Sequence, residues 1–208
     1  MYEKSFAFPL IGDSAPKFIA NTTNGLIKFP DDYIGRWVIL FSHPMDFTPV
    51  CTTEFLSFQS IYQDIDFKGI KNVEITFPVI ADLDLKVSRL YGMIHPNTSD
   101  TKTVRAVFII DQHGIIRTIL YYPQTTGRNI KEILRILVAL QTTDAFSVST
   151  PADWLPGMPV IEPSPQTTQD MNKRIKDNSK NLNVQSWYLT FREIPESKIY
   201  EKIVKSKK

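Results

Sequence analysis

Cys51 is the only cysteine among the 208 residues, and it closes the stretch Pro44-Met45-Asp46-Phe47-Thr48-Pro49-Val50-Cys51. A thiol has few chemical uses. An internal disulfide needs a second cysteine. The histidines at 43, 95 and 113 are too scattered to form a recognisable metal set with one sulfur. A nucleophile, or a small buried core residue, remains. The flanking residues bear on that choice. Thr48 is a favoured helix N-cap and Pro49 suits the first helical position, so Cys51 falls in the first turn. Unpaired N–H groups and the positive end of the helix dipole lie there, and both favour a sulfur anion.

Other elements must hold that turn in place. Val38-Ile39-Leu40-Phe41 is a continuous apolar run, expected as a buried strand ending near Ser42. Phe55, Phe58, Ile61, Tyr62 and Ile65 continue the cysteine helix at near-helical spacing. Short strands are expected at Phe18–Asn21 and Ile27–Phe29 around Asn24-Gly25, another at Phe77–Ala81, and a short helix near Leu85–Tyr91. Val104–Ile110 and Ile115–Tyr122 read as a hairpin turning at Asp111–Gly114. Ile130, Ile133, Leu134, Leu137 and Val138 make an amphipathic helix. Strands interleaved with helices indicate a layered α/β fold.

Hydrophobic residues make up 42% of the chain and its net charge is +2. The first argues for a folded protein. The second gives no basis for a nucleic-acid or anionic-membrane partner. No apolar run approaches membrane-spanning length, no secretory leader is recognisable, and a lone thiol suits a reducing cytoplasm. No Gly-rich phosphate loop is present, so no nucleotide or other cofactor is expected. Five of the fourteen prolines lie between Pro151 and Pro165, marking an extended connector. The organisation expected is therefore residues 1–150 as the main domain and 151–208 as an extension. That extension holds a helix at Thr167–Asn178 and a strand at Trp187–Arg192. It is too poor in apolar residues to form a core alone, so it should pack on the main domain or on another subunit.

The segment from Phe41-Ser42-His43-Pro44 to Cys51-Thr52-Thr53-Glu54-Phe55, with its Pro-x-x-x-Thr-x-x-Cys core, closely resembles the peroxidatic motif of peroxiredoxins. The Ser-His-Pro start and the single cysteine resemble the 1-Cys, peroxiredoxin-6-like branch of the AhpC/TSA family. The likeness continues in Phe77–Asp82, in Thr103-Val104-Arg105-Ala106-Val107-Phe108, in Leu120–Asn129 and, more weakly, from Thr150 to Phe191. It implies a thioredoxin-like fold with a C-terminal extension that packs across a subunit interface. The assembly implied is a homodimer that could build into a higher-order ring.

The resemblance also implies a thiol-dependent peroxidase in antioxidant defence, reducing hydrogen peroxide and organic hydroperoxides through a Cys51 sulfenic acid and drawing on an external thiol reductant. Thr48 would orient the peroxide and Pro44 would shield the sulfur. Arg105 would stabilise the sulfur anion and the transition state. Arg128, paired with Glu54, would support it, and His43 could hydrogen-bond near the sulfur. An oligomeric holdase or redox sensor on the same scaffold is the alternative. A Cys-x-x-Cys oxidoreductase lacks its second thiol here. Relatives of this kind place a strand and a helix between the cysteine helix and the Phe77–Ala81 stretch. Only residues 66–76 separate them here, which suggests that a segment near Gln63–Lys68 is missing from the chain as read.

Overall fold

The computed structural model describes residues 8–63, 75–177 and 181–205. Strands β1 (Phe18–Thr22) and β2 (Gly25–Phe29) form an antiparallel hairpin. Its turn is closed by Gly25, whose φ of +101° suits a residue without a Cβ. Strand β3 (Val38–Phe41) leads to α1 (Pro49–Gln63), and α2 (Lys86–Leu90) follows. Strands β4 (Arg105–Ile110) and β5 (Ile116–Tyr122) form the expected hairpin. Its turn is held by the Asp111 carboxylate, which accepts the backbone N–H groups of His113 and Ile115 at 2.9 and 3.0 Å.

Strands β3, β4 and β5 make one antiparallel sheet with β4 in the middle. A central strand is covered on both faces, which is why Ala106–Ile110 is apolar without alternation and wholly buried. Phe29, Leu40, Val87, Tyr91, Phe108 and Ile116 join in the core. Arg105 is the one charged residue of β4, placed at the end of the strand nearest α1. Ser42 extends the pairing of β3 with β4 through its side chain. Its hydroxyl donates to Val104 O (2.6 Å) and accepts from Ala106 N (2.9 Å).

The expected strand at Phe77–Ala81 is not one. Residue Ile80 makes a single bridge to Thr22, with Thr23 N donating to Val79 O and Ala81 N to Asn21 O. Pro78 has no N–H to give a ladder, so the stretch is tied to the β1 hairpin only at isolated points. The suspected missing segment near Gln63–Lys68 falls largely in 64–74, outside the described residues.

The chain divides into two compact units between Ile130 and Lys131. Helix α3 (Ile130–Phe146) begins at that point. The second unit continues with β6 (Val160–Ile161), α4 (Thr168–Ile175), β7 (Leu182–Val184), β8 (Thr190–Arg192) and α5 (Glu196–Lys205). Strand β8 lies between β6 and β7. The expected strand at Trp187–Arg192 is confined to its last three residues, because the chain turns tightly at 185–189 to join β7 to β8. The unit's core combines α3 with the extension: Val138 and Ala139 pack with Trp154, Val160, Ile199 and Ile203. The extension's few apolar residues suffice because α3 supplies the rest.

Candidate active site

Helix α1 starts at Pro49, with Thr48 at the N-cap position and Cys51 in the first turn. Cys51, Glu54 and Phe58 follow at intervals of three and four residues. They therefore share one face of the helix, and all three are buried. That face meets the start of β4. Arg105, only 3% exposed, directs Nη1 at Cys51 Sγ (3.4 Å) and at Glu54 Oε2 (2.6 Å). Its Nε and Nη2 both donate to Gln124 O, at 2.9 and 2.7 Å.

Arg128 approaches Glu54 from the loop after β5. Its backbone N–H and Nε donate to Oε1 (2.8 and 2.9 Å), and Nη2 donates to Oε2 (2.7 Å). Its Nη1 donates to Ala106 O (2.9 Å). The same guanidinium lies over Phe41 and Phe58, 5.1 and 5.5 Å from the ring centroids, and those two rings stack on each other at 4.1 Å. Facing aromatic π-clouds and a carboxylate make a buried guanidinium tolerable where a bare one would not be. Burial alone would push the Glu54 carboxyl up. The hydrogen bonds and charge of Arg128, together with the charge of Arg105, outweigh it and hold the carboxyl below its ordinary value.

Thr48 does not cap the helix with its side chain. Its hydroxyl donates back to Met45 O at 3.2 Å, while its carbonyl accepts both Thr52 N and Thr52 Oγ1 at 2.9 Å. The tight entry puts Phe47 at φ +55°, fully exposed. A non-glycine residue in that region carries about 1–2 kcal/mol of strain. Pro44 is half-buried beside His43. The His43 ring packs against Phe55 (4.8 Å between centroids), and its Nε2 meets Asp46 Oδ1 at 2.6 Å. No described contact joins that ring to Cys51.

The structure thus brings Cys51, Glu54, Arg105 and Arg128 into one buried cluster. The contact of Arg105 with Glu54 goes beyond the sequence expectation, which pairs only Arg128 with that carboxylate. The signal for it was the three-residue spacing from Cys51 to Glu54, which obliges any cation on the sulfur to pass close to the carboxylate. Gln124 and Asp46 were not anticipated either. Among the described residues no group of three or more His, Cys, Asp or Glu could hold a metal ion.

Comparison with known proteins gives a consistent neighbourhood. The AhpC/TSA family profile matches residues 11–76 and 68–119, and the C-terminal domain of 1-Cys peroxiredoxin matches residues 139–178. A peroxiredoxin of Methanosarcina mazei is 49% identical over 210 residues, covering 87% of this chain and 96% of the relative. A peroxiredoxin of Thermotoga maritima is 46% identical over 213 residues, covering 89% and 98%. Among solved structures, the yeast mitochondrial 1-Cys peroxiredoxin, described with a thiol-resolving mechanism via glutathione/thioredoxin systems, superposes with a TM-score of 0.75. It is 36% identical and covers 89% of this chain and 99% of that one. A cysteine-to-serine mutant of peroxiredoxin 6 of Arenicola marina gives a TM-score of 0.76 at 31% identity, covering 90% and 99%.

Proposed function

The chain belongs to the AhpC/TSA family of peroxiredoxins, thiol-dependent peroxidases of thioredoxin-like fold, and we propose that it reduces hydrogen peroxide and organic hydroperoxides by a 1-Cys cycle at Cys51. The observation that carries this reading is the 3.4 Å approach of Arg105 Nη1 to a buried sulfur. Two guanidiniums and one carboxylate leave the cluster one positive charge in excess, and a thiolate balances it. The Cys51 sulfur pair attacks the terminal peroxide oxygen, the O–O bond breaks, and the departing oxygen takes a proton and leaves as water or alcohol. Sulfur is oxidised to the sulfenic acid. Arg105, already fixed by Glu54 and Gln124 O, faces the charge that develops, so little reorganisation is needed at the reaction step. Thr48, with its hydroxyl proton committed to Met45 O, keeps its lone pairs to accept from the peroxide. Pro44 limits water.

With no second cysteine in the chain, the sulfenic acid must be reduced by an external thiol. Glutathione and thioredoxin are the reductants to try first, given the yeast relative. No described helix is long and apolar enough to cross a membrane. A cytoplasmic setting, where thiols stay reduced, suits this cycle. Assembly as a homodimer, with residues 151–208 serving subunit packing, is supported by large exposed apolar side chains in each unit. These include Phe47 and Leu83 in the first and Leu155, Trp187 and Tyr188 in the second.

The test is stopped-flow reduction of peroxide with a panel of thiol donors. Cys51→Ser should abolish turnover, and mass spectrometry after peroxide without thiol should place the oxygen additions on Cys51. A Cys51→Ser protein that still turned over peroxide would refute the assignment. One that lost turnover yet suppressed client aggregation as wild type does would show a holdase role beside it.

A further inference from the structure

Only one nitrogen of Arg105 faces the sulfur. The other two share a single acceptor, the backbone carbonyl of Gln124, which together with Glu54 on the third nitrogen sets the plane and rotation of the guanidinium. That carbonyl lies in the connection between β5 and α3, and connections of this kind stay in place only where they are tied. Gln124 supplies a tie of its own, because its side-chain Nε2 donates to Thr103 O at 3.2 Å. Thr103, 6% exposed and just ahead of β4, in turn donates its hydroxyl to His43 O at 3.1 Å. His43 adjoins Pro44. One hydrogen-bonded chain thus runs from the carbonyl that aims Arg105 to the loop that carries Pro44 and Thr48.

We propose that Gln124 and Thr103 are positioning residues for peroxide reduction, linking the cation that faces Cys51 to the loop that carries Pro44 and Thr48. The inference rests on the role given above to Arg105. Neither side chain reaches the sulfur in the structure, and both act by fixing groups that would otherwise be free to shift. A misplacement of about 1 Å at a reacting centre can cost as much as about 100-fold in rate. The loss of one tie out of several should cost about tenfold by the same reasoning.

The experiment compares Gln124→Ala, Thr103→Val and Thr103→Ser with wild type in two reactions of Cys51. One is peroxide reduction by stopped flow. The other is alkylation by iodoacetamide, which needs no aligned O–O bond. Gln124→Ala and Thr103→Val should slow the peroxide reaction about tenfold while alkylation changes little, and Thr103→Ser, which keeps the hydroxyl, should restore the rate. On an Arg105→Ala background, Gln124→Ala should cause no further loss, because its effect passes through that arginine. Wild-type peroxide rates in both Gln124→Ala and Thr103→Val, alongside a crippled Arg105→Ala, would overturn this inference alone. An undiminished further loss on the Arg105→Ala background would do the same. A fully active Arg105→Ala protein would overturn the role of the arginine and this inference with it. Thr103→Val is nearly isosteric, so its result stands even if Gln124→Ala folds poorly.

Discussion

Two glutamates in this protein hold arginines at the same distance, 2.6 Å, and should differ greatly in what they contribute. Glu54 and its two arginines are 0–3% exposed, whereas Glu132 and Arg135 are 36% and 25% exposed. Replacing Glu54 by Gln keeps the shape and turns one acceptor oxygen into a donor. Each Glu54 oxygen receives two N–H groups, so whichever way the amide is turned, two donors lose their acceptor and face another donor. Hydrogen bonds to charged groups contribute about 1.5–3 kcal/mol each, which gives about 3–6 kcal/mol for two. Removing one partner of a buried ion pair costs about 3–5 kcal/mol by direct precedent. The two routes agree on about 4 kcal/mol. Glu132→Gln, in a solvated pair one helical turn long, should cost no more than about 1 kcal/mol.

Urea denaturation of the two variants beside wild type measures this directly, read as a shift in midpoint at constant slope. In a thermal scan Glu54→Gln should melt about 10 °C below wild type, on the scale of about 2–4 °C per kcal/mol for a protein of this size. A Glu54→Gln protein within about 1 kcal/mol of wild type, or no less stable than Glu132→Gln, would refute the claim that burial makes this carboxylate essential to the two arginines.

Further outcomes follow from the same cluster. Because the folded-state pKa of Glu54 lies below its ordinary value of 4.5, the unfolded chain takes up the proton first as pH falls. The stability it contributes is whole above about pH 4.5 and is lost as pH drops through the folded value, so Glu54→Gln should flatten the acid limb of a stability–pH profile; an unchanged limb would assign acid lability to other groups. Arg105→Ala should lower the peroxide rate by about 10²–10³, while Arg128→Ala, which removes the aromatic-covered partner of Glu54, should act mainly on stability; equal mild effects in both assays would overturn the division. Peroxide given without thiol should drive Cys51 on to sulfinic acid, whereas a predominantly Cys51–Cys51 linked dimer on a non-reducing gel would contradict the external-thiol cycle.

The sequence carried the cysteine turn and the central strand well, because both are local patterns. An N-cap residue followed by proline marks a helix start, and an apolar run without alternation marks a strand covered twice. It misplaced what depends on partners far away in the chain. Phe77–Ala81 has the composition of a strand, but Pro78 and the distance to β1 leave it only isolated bonds. The Thr48 side chain looked like a cap and instead turns to Met45, because the left-handed Phe47 folds the chain back beneath it. The extension's need for outside apolar surface was legible in its composition, but not that α3 supplies it, since Val138 and Trp154 meet only once the chain has folded.

The charge arrangement shows why the site was only half legible. Cys51 stands out from its helix turn, and its apolar strand marks Arg105 as needing a buried partner, while the tie between the two rests on the resemblance to peroxiredoxins. What fixes their relation is that Glu54 stands one turn after Cys51 on the same buried face, where it must take hydrogen bonds from whatever cation approaches the sulfur. A single carboxylate between two guanidiniums neutralises one and leaves the other for sulfur. In the proposed cycle a thiolate offsets that excess charge, and the offset is lost once the sulfur carries a neutral sulfenic acid. Reduction back to the thiolate restores the balance, so the cluster favours the form that begins the next cycle.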